Sequence, residues 1–361
     1  MAEQLKNLYS QDRIVELSKA VLTEFLAFDS KKFLSRFKSD EWENAELKAR
    51  VRFITNTLRD FLPLDYVQSI GILLPVSKKF KYGFFSIFFP DFVEVYGQDN
   101  WQVSMDALEE FTQTSSAEFA IRTFILQDPK KAMRQMLKWS RSRNHHVRRL
   151  SSEGCRSRLP WSFRLQMFVE DPTPVLAILE NLKDDPELYV RKSVANHLND
   201  ISKDHPELIL GLAEKWIGKS ENTDWIVNHA LRTLLKSGNK RALKLFGHHK
   251  ADNFIIDVLT LNKKKIHPGE ILKFNFTLLN EGKSISSCRL EYAIDYRKAN
   301  GSTSKKVFQI SKSNISPGKS EYSRTCKFDD LSTRKHHPGK HTVSILVNGE
   351  HKGSVDFVLI T

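Results

Sequence analysis

His146-Val-Arg-Arg-Leu150 returns as Tyr189-Val-Arg-Lys-Ser193 and, more loosely, as Trp225-Ile-Val-Asn-His229. Val147, Val190 and Ile226 hold equivalent places, 43 and then 36 residues apart. Steps of that size bracket the ~40-residue period of HEAT-like helical hairpins, units too small to bury an apolar face without a neighbour. Around these stretches, proline follows Asp or His at Asp128-Pro129, Asp171-Pro172, Asp185-Pro186 and His205-Pro206. There its missing N–H and fixed φ suit the first turn of a helix. The helical pattern holds throughout up to about residue 250. The expectation is a mainly α fold, with a HEAT-like α-solenoid of stacked helical hairpins over residues 1–252.

Beyond Lys250 the period changes to two, in Phe274-Asn-Phe-Thr-Leu278 and around Tyr292–Tyr296 and Val343–Val347. Pro268-Gly269, Pro317-Gly318 and Pro338-Gly339 punctuate the strands, and Asn348-Gly349 has the composition of a two-residue hairpin turn. Residues 253–361 therefore read as an immunoglobulin-like β-sandwich. Cys288 and Cys326 fall in its strands and are expected as reduced core residues. With Cys155 they make three cysteines, without a CxxC or HExxH motif, so neither a zinc site nor a disulfide scaffold is expected. The longest apolar runs, Ile70–Val76 and Phe84–Phe89, are far short of the ~20 residues a membrane span needs. The N-terminal stretch reads as a polar amphipathic helix rather than a signal peptide, and a reducing cytoplasm is the expected location.

The chain has 361 residues and a formal net charge of +13. Divided at Asn253, the longer part carries +5 and the shorter +8. Within the longer part, Lys130 to Arg164 holds eleven bases and a single acid, Glu153, a window of +10 on an otherwise weakly acidic remainder. A concentrated cationic patch interleaved with Trp139, His145, His146 and Trp161 is the footprint expected for a nucleic-acid backbone. Arg141, Arg143, Arg148, Arg149, Arg156 and Arg158 are the candidate phosphate contacts, and the +8 C-terminal part is a candidate second one.

Glu153 is the acid that needs explaining. At 100° per residue, Val147, Leu150 and Gly154 share one side of a helix, and Arg149, Glu153 and Arg156 the other. An exposed i,i+4 pair with Arg149 would contribute about 0.2–0.5 kcal/mol. A carboxylate inside a phosphate-binding patch nonetheless weakens binding unless it has a task. In the next repeat Val190, Val194, Leu198 and Ile201 form the apolar stripe, and Asp200 lies opposite with Lys192, Asn196, Asn199 and Lys203. In-register stacking would bring Asp200 to the same polar surface as Glu153, where two carboxylates could stabilise an oxocarbenium-like centre or hold a water. Glu118, in Ser115-Ser-Ala-Glu118, fits a capping box for a helix over Phe119–Leu126. Trp161 follows a Leu-Pro turn and is either core or an aromatic surface for a base or sugar.

Several of these stretches carry a resemblance. Phe89-Pro-Asp-Phe-Val-Glu-Val-Tyr-Gly97, Ser115-Ser-Ala-Glu-Phe-Ala-Ile-Arg122, the run from His146 to Trp161 and the run from Tyr189 to Asp200 resemble the alkylpurine DNA glycosylases of the AlkC type. The resemblance covers nearly the whole chain, because one subgroup of that family joins a HEAT-like domain to an immunoglobulin-like one. It implies hydrolysis of the N-glycosidic bond of cationic alkylated bases, chiefly 3-methyladenine and 3-methylcytosine, in duplex DNA and without base flipping. It implies no cofactor and no metal. The family's functional acids fall on Glu118, Glu153 and Asp200 and its tryptophan on Trp161, the carboxylates stabilising the sugar cation and positioning water while Trp161 packs on the sugar or base. Thr123 departs from the proline expected after Ile121-Arg122. The expected partner is double-stranded DNA containing alkylated bases, with no membrane and with the protein as a monomer. A non-catalytic HEAT-repeat protein binding damaged or bent DNA is the alternative.

Overall fold

A computed structural model describes residues 5–330 and 335–360. Among them lie seventeen α-helices, all before Phe254, and eight strands after it. Two compact units divide the chain: one runs to His205 and takes in Lys215–Ala230, and the other joins Pro206–Glu214 to everything from Leu231 onward. The last helix ends at Leu245 and the first strand begins at Phe254, while compactness divides the chain earlier. Within the second unit Arg241 shows why, since its guanidinium bonds both Glu207 and Glu214 at 2.6 Å.

In the first unit the three related stretches lie on helices His145–Glu153, Leu188–Ile201 and Glu221–Ala230, which pack on one another in that order. Val147, Val190 and Ile226 are fully buried. Helix Pro129–Trp139 pairs with His145–Glu153, and Thr173–Leu182 with Leu188–Ile201, as HEAT-like hairpins do. The first helices are tied through their tryptophans, Trp139 Nε1 donating to Glu109 at 2.8 Å and Trp216 Nε1 to Glu180 at 3.0 Å.

The Asp-Pro signals mark helix starts with one informative slip. Asp128 caps helix Pro129–Trp139 through the Lys131 N–H, whereas the helix after Asp185-Pro186 begins only at Leu188. Asp185 instead accepts from the Glu187 N–H at 2.9 Å and from the Arg148 guanidinium at 2.6 and 3.1 Å.

The strands are β1 (Phe254–Leu261), β2 (Lys265–Ile266), β3 (Ile271–Asn280), β4 (Ser286–Arg297), β5 (Thr303–Ile315), β6 (Gly318–Lys327), β7 (Gly339–Val347) and β8 (Glu350–Leu359). They form two sheets, β1-β3-β6 and β2-β8-β7-β4-β5. Pairing is antiparallel except between β2 and β8. Phe274 and Phe276 of β3 share a core with Leu290, Ile294, Val343 and Ile345 of the other sheet. Asn348 and Gly349, both at positive φ, join β7 to β8 as the two-residue turn read from their composition. Cys288 is buried, Cys326 only half-buried, and both are free thiols.

Candidate active site

The site is assembled around one buried guanidinium. Arg122, on helix Ile121–Gln127, has no exposed surface. It donates to the backbone carbonyls of Gly154 (3.0 Å), Arg156 (2.8 Å) and Phe163. Those carbonyls bracket the loop that leaves helix His145–Glu153, so one side chain holds both ends of the segment carrying Trp161. Burial lowers the Arg122 pKa to about 10, which leaves it charged at neutral pH. Gly154 permits the close approach: a Cβ there would lie 2.5 Å from the Ile121 side chain. On this loop Trp161 adopts the left-handed region at φ 64° and is 56% exposed. Lys48 donates to its carbonyl, and Phe84 meets its ring edge-on at 6.1 Å. Trp161 is therefore an exposed aromatic on a braced backbone, not the core residue that tryptophan after a proline turn usually is.

The three candidate carboxylates lie along one chain of ion pairs. Glu118 accepts from Arg149 at 2.8 Å. Arg149 also lies 3.6 Å from Glu153. Glu153 accepts from Arg156 at 2.6 Å. Arg156 in turn donates twice to one Asp200 oxygen, at 2.9 and 2.8 Å, while Lys203 bonds the other oxygen at 2.9 Å. Glu153 is only 6% exposed, and Asp200 is as deeply buried.

Neither is the solvated helix-face residue that periodicity suggests. Ser193, His197 and Asp200 extend the buried surface of helix Leu188–Ile201 to one side of its apolar stripe. Burial alone would raise the Glu153 carboxyl, but the positive charges of Arg149 and Arg156 hold it below the usual carboxylate range. Arg149 and Arg156 are themselves raised by these acids against the pull of burial. His197, beside Arg156, is pushed down to about 3, first by burial and then by that neighbouring cation, so its ring stays neutral.

Glu118 does not cap a helix. The helix begins at Ile121, its N-cap position is Ala120 without a side-chain bond, and Glu118 sits in the preceding turn. The capping-box reading fails because Arg149 offers a charge-assisted bond that a backbone N–H cannot match. Thr123 stands in the first turn of that helix, which starts without the expected proline. Among the described residues no three His, Cys, Asp or Glu side chains are grouped to hold a metal ion. No helix among them is long and apolar enough to cross a membrane.

This arrangement sits in a chain with informative relatives. Residues 110–238 match the model of the DNA alkylation repair enzymes, and residues 256–361 match that of the C-terminal Ig-like domain of YhaZ. The uncharacterised protein YhaZ of Bacillus subtilis is 46% identical over 354 residues, 98% of each chain. The structure of the alkylpurine DNA glycosylase AlkC of Pseudomonas fluorescens, bound to DNA containing an abasic site analogue, superposes with a TM-score of 0.95. It is 41% identical, covering 99% of this chain and 100% of that one. The chain belongs to the AlkC family of DNA alkylation repair enzymes.

In this AlkC-family chain the six candidate phosphate contacts fall into two groups. Arg141 and Arg143 are exposed at the turn before helix His145–Glu153. The other four already hold carboxylates: Arg148 with Asp185, Arg149 with Glu118, Arg156 with Glu153 and Asp200, and Arg158 with Asp204 at 2.7 Å. Four acids outside the +10 window, Asp185, Glu118, Asp200 and Asp204, are thus paired with its arginines. The sequence reading missed Arg122 and His197. The only signal for either was a charged or titratable residue at a position whose helical neighbours are apolar.

Proposed function

We propose that this protein is a monofunctional DNA glycosylase that hydrolyses the N-glycosidic bond of cationic alkylated bases, 3-methyladenine and 3-methylcytosine, in duplex DNA. The observation that carries the reading is the pair of buried carboxylates, Glu153 and Asp200, held on the single guanidinium of Arg156, with Trp161 exposed on the following loop that Arg122 braces. Arginine does not deprotonate, so it holds both acids in place with a permanent positive charge.

The chemistry asks little more. A ring-methylated base is positively charged and departs neutral, taking the electron pair of the C1′–N bond. Positive charge then develops on the sugar, where fixed carboxylates stabilise it without reorganising. Water adds to C1′ and gives up a proton, and Glu118, Glu153 or Asp200 can accept it. A carboxylate offers about four lone-pair sites, so each acid keeps capacity for water after binding arginine. Trp161 packs against the deoxyribose or the cationic base, where a cation–π contact is worth about 0.5–2 kcal/mol. Reaction within the duplex, without flipping, accords with carboxylates grouped near an exposed aromatic.

Arg141 and Arg143 are the first-choice phosphate contacts because both are exposed and, among the described residues, no carboxylate engages them in an ion pair. Arg148, Arg149, Arg156 and Arg158 contribute to the field but are held by acids in the free protein. The protein acts as a cytoplasmic monomer without a cofactor. The purified protein incubated with methylated duplex DNA tests the reading. Free 3-methyladenine and abasic sites are the expected products, and tight binding with no base release would make the protein a damage-binding module.

A further inference from the structure

Next to the carboxylate cluster, and sharing a wall with it, lies a cleft of about 190 Å³. Helices Leu47–Phe61 and Phe88–Tyr96, the segment 116–120 and the Trp161 loop supply its lining. Four aromatic side chains, Phe84, Phe119, Trp161 and Phe163, face it alongside aliphatic Val51, Ile87 and Pro90. Its polar lining is Lys48, Arg52, Asp91, Glu94, Ser116 and Ser162. Arg52 spends its fork on Asp91, at 2.9 and 3.0 Å, and reaches Glu94 only at 3.6 Å. Glu94 consequently has no close ion pair. Burial, then the negative charge of Asp91, push its pKa up to about 7 against the opposing pull of Arg52 and Lys48.

Aromatic walls with a carboxyl group at one side form a site for a flat heteroaromatic ring with donors on its edge. Stacking on aromatic side chains tolerates any base, whereas edge hydrogen bonds discriminate. Size limits the choice. A cavity of ~150 Å³ encloses a benzene ring, so this one suits a single nucleobase and not a nucleotide with its sugar and phosphate. Its placement narrows the choice further. Ser116, on the rim, accepts from the same Arg149 nitrogen that bonds Glu118, and Trp161 belongs to both the cleft and the candidate active site.

We propose that this cleft is a purine-base site that receives the alkylated purine after its glycosidic bond is broken, with Glu94 and Asp91 facing the amino edge and the four aromatics facing the ring. The proposal rests on the glycosylase reading for where the base comes from, but the binding site itself does not depend on catalysis. It makes the released base a product that lingers and inhibits.

Titration of the wild-type protein with free 3-methyladenine, by calorimetry and by tryptophan fluorescence, tests it without DNA. Saturable binding is expected, with cytosine at least about tenfold weaker. Glu94→Gln should weaken the purine by about tenfold, and Phe84→Ala should do the same by removing one wall, both variants being checked by thermal melting. Free 3-methyladenine should also slow multiple-turnover excision without changing the first turnover. Absence of saturable binding to the wild-type protein, or equal binding of purine and pyrimidine, overturns the proposal whether or not the variants fold. A protein that binds the base but releases none from methylated DNA would contradict the glycosylase reading and leave the site standing.

Discussion

Two arginine–carboxylate arrangements are buried in this molecule, and they are built differently. In the β-sandwich, Arg289 and Glu291 lie two residues apart on one strand and bond at 2.7 Å. Partners at i and i+2 point to the same face of a strand, so this pair needs no tertiary assembly. In the helical unit, Arg149 and Arg156 gather Glu118, Glu153 and Asp200 from three separate segments, with Arg156 and Asp200 44 residues apart. Burying charge is costly, and a well-packed apolar replacement is often as stable. A local pair of that kind is explained by strand geometry alone. An interior cluster drawn from three segments, in a protein whose Trp161 is exposed at φ 64° on a braced loop, is not explained by local geometry and is what the proposed chemistry uses.

The strongest way to break that contrast is to remove the central guanidinium. Arg156→Ala leaves two buried carboxylates facing each other, and a loss of about 3–5 kcal/mol is expected in chemical denaturation. Arg289→Ala should destabilise by a comparable amount, yet the protein that remains folded should excise at the wild-type rate. If Arg289→Ala removes excision from folded protein while Arg156→Ala does not, the two arrangements have been assigned the wrong way round.

Acid should separate the regions next. His197 is neutral when folded, with a pKa near 3, but titrates near 6.5 when unfolded. The unfolded chain therefore takes up the extra proton, and stability falls as pH drops below 6.5, by about 1.4 kcal/mol per unit at most. Glu153, depressed when folded, adds a loss of the same sign at lower pH. Unfolding midpoints of the wild-type protein and His197→Gln, compared at pH 7.5 and 5.5, read out this effect. An equal acid sensitivity in both would remove His197 from the account.

The smallest effect concerns the exposed arginines. Arg143→Ala should lower the slope of log affinity against log salt by about one unit, whereas Arg158→Ala, whose partner is Asp204, should change it less. Equal slopes would show that the Arg158–Asp204 pair opens on DNA.

The fold was legible because it depends on short periods: Val147, Val190 and Ile226 mark the stacked helices, and Asn348-Gly349 marks the hairpin. The acids Glu118, Glu153 and Asp200 were legible by resemblance, but their environment was not. A helical wheel counts one apolar stripe, so it left Asp200 on a solvated face, whereas Asp200 is buried together with Ser193 and His197. Charge counting along the chain has the same blind spot. The acids that hold Arg148, Arg156 and Arg158 lie 37, 44 and 46 residues away, about one helical repeat further on, where a count over neighbouring residues does not look. Even the visible i,i+4 pair misled, since Arg149 stands 3.6 Å from Glu153 while Arg156 bonds it at 2.6 Å.

The most direct test is Glu153→Gln, assayed for single-turnover release of 3-methyladenine from methylated duplex DNA and, in parallel, for binding to the same DNA. The substitution keeps size and one acceptor oxygen while removing one negative charge. Release should fall by about a thousandfold or more, on the scale of losing one preorganised electrostatic group, with DNA affinity equal or higher. Release at the wild-type rate by a folded Glu153→Gln protein would contradict the central claim.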